Sequence, residues 1–284
     1  MPSVQTSAQP LQPLGMPAQA KETAKALPSD RQQETFSMRS SLSFGAGCMS
    51  GALARLATNS PRDIASKLQN SKLGLVDLPG LAGRCANVKN LTSCTIGTAA
   101  QYAVLYGLQS ALQSPEDSNP TKLAKDGVSA IVGGLAIHPS TVAFYHKDSN
   151  PAASGRQNLY RIATQAPQDL LRGLRPRVLT SSSQWVTFFG MKDALKSQGF
   201  SEETSRGAAS LGGVVVSTPS YQVYAYQCRN GGSTRDAFAQ VAKLMTMKPS
   251  TTALFAIAAA SEMYLGDMLQ TQFRGVLEKA YNSK

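Results

Sequence analysis

Three short segments of this sequence place a proline in the same setting: Ser60-Pro61-Arg62-Asp63, His138-Pro139-Ser140-Thr141 and Thr218-Pro219-Ser220-Tyr221. A run rich in glycine and other small residues precedes each, over 45–58, 127–137 and 207–217. The prolines stand 78 and 80 residues apart, and in the last two units Gly127 to Pro139 and Gly207 to Pro219 both span twelve positions. Self-similarity at such a period constrains the architecture more than any single residue, because each unit then builds the same supersecondary element. Small residues let helix backbones approach closely inside a membrane, and a proline late in such a helix bends it. The same pattern also suits the Gly-rich helix ends of a soluble bundle, each stopped by its proline. Both readings stay open on the spacing alone.

Stretches without a charged residue are informative next, since an ionised side chain is costly inside a bilayer. Three are long, over 90–115, 127–146 and 207–228, and three are shorter, over 40–54, 178–191 and 249–261. Six stretches in three pairs predict six helices and an all-α fold. They carry much Ser, Thr, Gln and Gly, which suits helices with one face on lipid and the other on a water-filled cavity. A soluble bundle with small residues at its crossings accommodates them equally. Between the pairs lie amphipathic candidates: Asn158, Leu159, Ile162, Ala163 and Ala166 recur at helical spacing, and Ala237, Phe238, Val241, Leu244 and Met245 do so behind Asp236. The matching part of the first unit, 73–84, is shorter and holds Pro79 and Gly80, so a turn is expected there.

A chain of 284 residues with 42% apolar content can bury a substantial core in one large domain or two small ones. Its formal charge of +11 allows nucleic acid, an anionic membrane surface or acidic metabolites as partners. The basic residues are scattered, their densest group being Arg172, Arg175 and Arg177, and no nucleic-acid motif accompanies them, so no nucleic-acid partner is expected. Cys48, Cys85, Cys94 and Cys228 form no C-x-x-C pair, which argues against structural zinc or a disulfide framework. His138 and His146 straddle Pro139 eight positions apart, so no metal site is expected of them. Cys48 or Cys85 could join a histidine and Asp148 as a hydrolase inventory, but no nucleophile motif supports this. There is no P-loop either. We expect neither catalytic residues nor a cofactor.

Residues 1–38 are rich in Pro, Gln, Ala and Ser without hydrophobic periodicity and are expected to be disordered. They lack the apolar centre of a secretory signal and have no arginine before Arg31, unlike an ordinary mitochondrial presequence. With Glu22 as the first acid and Ser3, Gln5, Ser7, Gln9 and Gln12 punctuating the start, the segment resembles the export signal of type III secreted effectors of plant-associated bacteria.

The remaining chain resembles the mitochondrial carrier family over roughly residues 40–280. The local matches are Arg156-Gln157-Asn158-Leu159-Tyr160-Arg161-Ile162 followed by Leu170-Leu171-Arg172-Gly173-Leu174-Arg175-Pro176-Arg177, and the run from Pro61 through Asp63 to Lys67-Leu68-Gln69. The resemblance implies three repeats, about 39–116, 117–198 and 199–284, each of two membrane helices plus a short surface helix, in a six-helix bundle. Pro61, Asp63, Lys67, Pro139 and Pro219 would be its repeat signature, and the mitochondrial inner membrane its location, within a host cell if the chain is a secreted effector.

Where the family closes its cavity with ion pairs, this sequence departs. Ser66 holds the base position after Pro61, with Lys67 beside it; Thr141 and Phe144 follow Pro139; Tyr221 and Tyr224 follow Pro219. On the even helices Gly107 follows Tyr106 and Gly190 follows Phe189, while the third copy falls on Gly266 or Asp267. Both electrostatic closures are therefore expected to be dismantled. Tyr221 and Tyr224 either close the axis as aromatics or pack in the core. Arg55, Arg177, Thr180 and Gln184 are the polar candidates for a substrate cavity, Arg177 alternatively reaching lipid phosphate. Arg172 and Gly173 resemble the family's lipid-phosphate site, which would hold cardiolipin, or else form an ordinary helix cap. Trp185, the single tryptophan, is expected to anchor the core or a membrane interface. The resemblance implies movement of a small anionic metabolite or nucleotide by alternating access. The alternative is a non-transporting secreted effector that uses a carrier-like or soluble helical fold to bind host proteins.

Overall fold

The computed structural model describes residues 29–70, 91–146 and 155–283. Among them are eight α-helices and no strand: α1 (Ser29–Asn70), α2 (Leu91–Leu112), α3 (Asn119–His146), α4 (Gly155–Gln165), α5 (Leu174–Ser197), α6 (Glu202–Asn230), α7 (Thr234–Met247) and α8 (Pro249–Asn282), with a short 3-10 turn at Pro167–Leu171. The fold is all-α, as expected. Helix α1 already starts at Ser29, ahead of the boundary read at residue 39; residues 1–28 and the expected turn at 73–84 lie outside the described residues.

The six long helices close a ring. Helix α1 packs on α2, α2 on α3, α3 on α5, α5 on α6, α6 on α8, and α8 returns to α1. The short α4 rests on α3 and the short α7 on α6. Pro61, Pro139 and Pro219 lie inside α1, α3 and α6, alternate members of this ring. Hydroxyls just beyond the second and third prolines fold back on the preceding turn: Thr141 Oγ1 donates to the Ile137 carbonyl (3.2 Å) and Ser220 Oγ to that of Ser217 (2.9 Å). Such back-bonding satisfies carbonyls that a bent helix exposes.

Glycine sets how closely neighbouring helices lie. A Cβ on Gly47 would stand 2.5 Å from the Tyr102 carbonyl oxygen, which only hydrogen leaves room for. Gly133 and Gly213, eighty positions apart, meet a carbonyl of the preceding long helix in the same way: that of Gln101 at 3.0 Å and that of Gln184 at 2.6 Å.

Helix ends follow local chemistry. Ser201 caps α6 by accepting from the Thr204 amide, and Ser233 caps α7 by accepting from that of Asp236. Gly173 opens α5 at φ +71°, a left-handed conformation that favours glycine. In the α2–α3 turn, Lys125 Nζ donates to Asp117 (2.7 Å) and holds its carboxyl below the usual range.

Three of the long helices expose aliphatic side chains while burying polar ones beside their apolar core residues. On α6, Leu211, Val215 and Val216 are exposed, whereas Ser205, Arg206, Ser210, Ser217 and Thr218 are buried. Helix α1 turns Phe44, Met49, Leu53 and Leu56 outward and buries Ser43, Ser50, Arg55 and Thr58. Helix α3 exposes Val128, Val132 and Leu135 while burying Asp126, Ser129 and His138. By length and composition one helix among the described residues, over Asn119–Tyr145, suffices to cross a membrane.

Candidate functional site

Inside the ring lies a cavity of about 100 Å³, room for several waters or one small anion. Its charged lining is Arg55 and Arg62 from α1, Arg177 from α5 and Glu262 from α8. Arg55 and Arg62, two turns apart on one face of α1, converge on one carboxylate: Arg55 Nη1 meets Glu262 Oε2 at 3.0 Å and Arg62 Nη1 meets Oε1 at 2.8 Å. Thr58 Oγ1 lies 3.2 Å from the same carboxylate. Arg177 is anchored differently. Its Nε donates to the Gly134 carbonyl (3.1 Å) and its guanidinium lies 5.4 Å over the Tyr224 ring. Three cations against one anion leave this lining with a net positive charge. Gln101 and Gln184, with the hydroxyls of Thr98, Ser140, Thr141, Ser217 and Thr218, add uncharged polar lining.

At the proline-bearing end, uncharged contacts bridge the helices. Tyr145 and Tyr221 share a hydroxyl hydrogen bond (2.8 Å) between α3 and α6, and Tyr221 stacks on Phe255 of α8 at 5.1 Å. The Arg62 guanidinium lies 5.7 Å from the centre of the same Phe255 ring. Toward the opposite end, Tyr102, Tyr106, Trp185, Phe188 and Phe189 pack together, with Trp185 stacked on Phe189 at 5.6 Å. Beyond them Asp267 is buried at 2% exposure and accepts from Tyr106 (3.0 Å), Lys192 (2.6 Å) and Arg206 (2.7 Å). Glu202 pairs with the same Lys192 and Arg206.

These positions sort the sequence candidates. Arg55, Arg177 and Gln184 line the cavity; Thr180 does not. Its hydroxyl donates to the Pro176 carbonyl (2.7 Å) and to Ser220 (3.0 Å), tying α5 to α6. Tyr221 reaches the cavity, but Tyr224 is wholly buried with Val142, Tyr145, Ile162 and Cys228. The two tyrosines are three positions apart, so a small helix rotation separates an axial residue from a core one. Tyr224 donates to His138 Nδ1 (3.0 Å), whose Nε2–H donates to the Leu170 carbonyl (2.6 Å), so His138 has both ring nitrogens engaged. Trp185 is a core anchor. Arg172 pairs with Asp169 at 2.8 Å, and a Cβ at Gly173 would lie 2.8 Å from the Tyr224 ring. Pro61, Pro139 and Pro219 sit within helices; Asp63 and Lys67 lie on α1 with side chains outside the described residues. Cys85 and Asp148 lie outside them, as does the side chain of His146, which ends α3. Cys48, Cys94 and Cys228 are free thiols, and no metal-ligating cluster occurs among the described residues.

Sequence reasoning misses Arg62, Glu262, Lys192 and Arg206, and it leaves Asp267 ambiguous. Charge is not gone from the interior, as the missing signature acids suggested: among the described residues Glu262 and Asp267 of α8 are buried with cationic partners, and Asp126 of α3 is buried against Gln109 and Gln113. The signal was present, because Glu262 follows an apolar run, Ala253 to Ala260, where a charge is costly to bury without a partner. Compared with models of known protein families and with curated protein sequences, the chain gives no match.

Proposed function

We propose that this chain is a carrier-like membrane protein that holds a small anion in its central cavity and moves it by alternating access. The observation that carries the proposal is the cavity lining, three arginines against one glutamate, enclosed by six helices that turn bulky aliphatic side chains outward. In water, so much exposed aliphatic surface is unfavourable; against lipid it is the ordinary surface. Three carrier-type repeats, each of two membrane helices and one surface helix, are supported by the alternation of Pro61, Pro139 and Pro219 around the ring and by the matching contacts of Gly133 and Gly213. The cavity volume favours a small metabolite over a nucleotide. Arg172 and the α5 start at Gly173 are the proposed contact for a lipid phosphate such as cardiolipin, with Asp169 as the group that lipid displaces. The composition of residues 1–38 supports type III export, and the carrier resemblance of roughly residues 40–280 supports the inner membrane of host mitochondria as the destination.

Two experiments test this. Carbonate extraction of mitochondria carrying the full chain is expected to leave it in the membrane pellet; release into the supernatant overturns the membrane reading. Purified protein in liposomes is then expected to take up labelled malonate or phosphate, and Arg177→Gln to cut that uptake at least ten-fold, about 1.4 kcal/mol or more.

A second reading, a secreted effector that binds host proteins without transporting, is favoured by one observation. The aromatic cluster from Tyr102 to Phe189 fills the ring beside the cavity and is backed by the Asp267 ion pairs. Anion binding without uptake would select it.

A further inference from the structure

The cavity contains more donors than its own residues satisfy. Trp185 Nε1 and Arg55 Nε are buried without a hydrogen-bond partner, and both residues line the cavity. Neither group can accept a hydrogen bond: an indole N–H and a guanidinium are donors only. Arg177 meets no carboxylate among the described residues, its Nε being spent on a backbone carbonyl. A buried donor left unpaired is costly, and water or a ligand that supplies acceptors would complete this wall. Glu262 already supplies acceptors to the α1 side. Its two oxygens hold Arg55 and Arg62 at 3.0 and 2.8 Å, and it is the one acidic residue in the lining.

We infer that Glu262 is a tethered counter-ion, an internal carboxylate that occupies the arginines of the α1 side and competes for them with a small oxyanion seated on Arg177, Trp185 and Arg55. The inference rests on the anion-cavity reading and adds the ligand chemistry and its built-in competitor. A carboxylate and a phosphate share the required acceptors. A ligand ammonium does not, because the one carboxylate that could receive it is already bidentate to two guanidinium groups. In the ligand-free protein Glu262 pairs with two of the three cations and offsets one unit of their charge, which lowers the cost of burying them without solute. An oxyanion entering beside Arg177 takes the spare donors first and then shares Arg55, so affinity is set by how strongly Glu262 holds its place.

The test uses full-length protein in detergent micelles, titrated calorimetrically with acetate, malonate and inorganic phosphate, with the ligand-induced rise in Tm as a second readout. Arg177→Gln is expected to weaken binding at least ten-fold. If the wild type binds none of the three probes, or Arg177→Gln binds them unchanged, the anion-cavity reading falls and this inference with it. Glu262→Gln removes the competitor and is expected to tighten binding about ten-fold, since an added unit of positive charge a few ångströms away acts in a poorly screened interior. Unchanged or weaker binding in Glu262→Gln, with Arg177 still required, overturns the competitor and leaves the cavity. Weaker binding would make Glu262 itself a ligand contact. Glu262→Asp keeps the charge but is one methylene shorter, so it cannot span both arginines. Should Glu262→Gln not fold, this variant decides: an affinity gain of about three-fold supports competition, and no gain refutes it. Malonate and phosphate binding more tightly than acetate would identify a dianion.

Discussion

Two acids on α8, five positions apart, organise the interior in different ways. Glu262 takes both of its cations from a single helix, α1, and borders open space. Asp267 takes its partners from three, Tyr106 on α2, Lys192 on α5 and Arg206 on α6, and is sealed beyond packed aromatics. The chemistry is the same carboxylate–cation pairing, yet one fastens two helices and the other four. What differs is exchangeability. A pair beside a cavity can trade its anion for a solute, whereas a pair with no adjacent space can separate only when helices separate. The first is suited to binding and the second to holding one end of the ring shut.

The largest effect that would break this comparison is at the sealed end. Asp267→Ala leaves Lys192 and Arg206 as buried cations with one shared, half-exposed acid, and is expected to cost about 3–5 kcal/mol, read as a large fall in Tm. Glu262→Ala should cost less, about 2–3 kcal/mol, because Arg55 and Arg62 can turn to cavity water, and added malonate should recover part of the loss. Equal losses in the two variants, with no rescue, would erase the distinction. Tyr145→Phe removes one hydroxyl from the bridge to Tyr221 and is expected to cost about 1 kcal/mol, with a faster rate of cavity opening read by alkylation of Cys94. The smallest effect is at the surface. Asp117→Asn should change Tm within error, and whatever its pair with Lys125 contributes is present above the ordinary carboxyl value of 3.8 and fades as pH falls below it, because folding depresses that group.

Much of the helix plan is legible in the sequence. Proline and glycine act through the backbone, so Pro61, Pro139, Pro219 and the Gly133–Gly213 correspondence show in the spelling itself. The charge-free stretches located all six long helices. The same measure hid the site, because a stretch defined by lacking charge ends where a charge begins. Glu262 closed the 249–261 stretch and so was read as an edge, although α8 runs on for five further turns. Facing is the other limit. Thr180 and Gln184 are one turn apart, as are Tyr221 and Tyr224, and only packing decides which of each pair looks at the axis. Thr180 is drawn to Ser220 and Tyr224 to His138, partners more than thirty residues away that no local pattern reveals.

The phenol bridge between Tyr145 and Tyr221 carries a further implication for a protein proposed to work across an energised membrane. A unit charge moved through such a potential involves about 2.3 kcal/mol per 100 mV. Two neutral hydroxyls moved apart involve none. Parting these two hydroxyls therefore adds no voltage or salt dependence of its own, and any dependence on membrane potential would report the charge of the solute together with the ion-paired arginines that move with it.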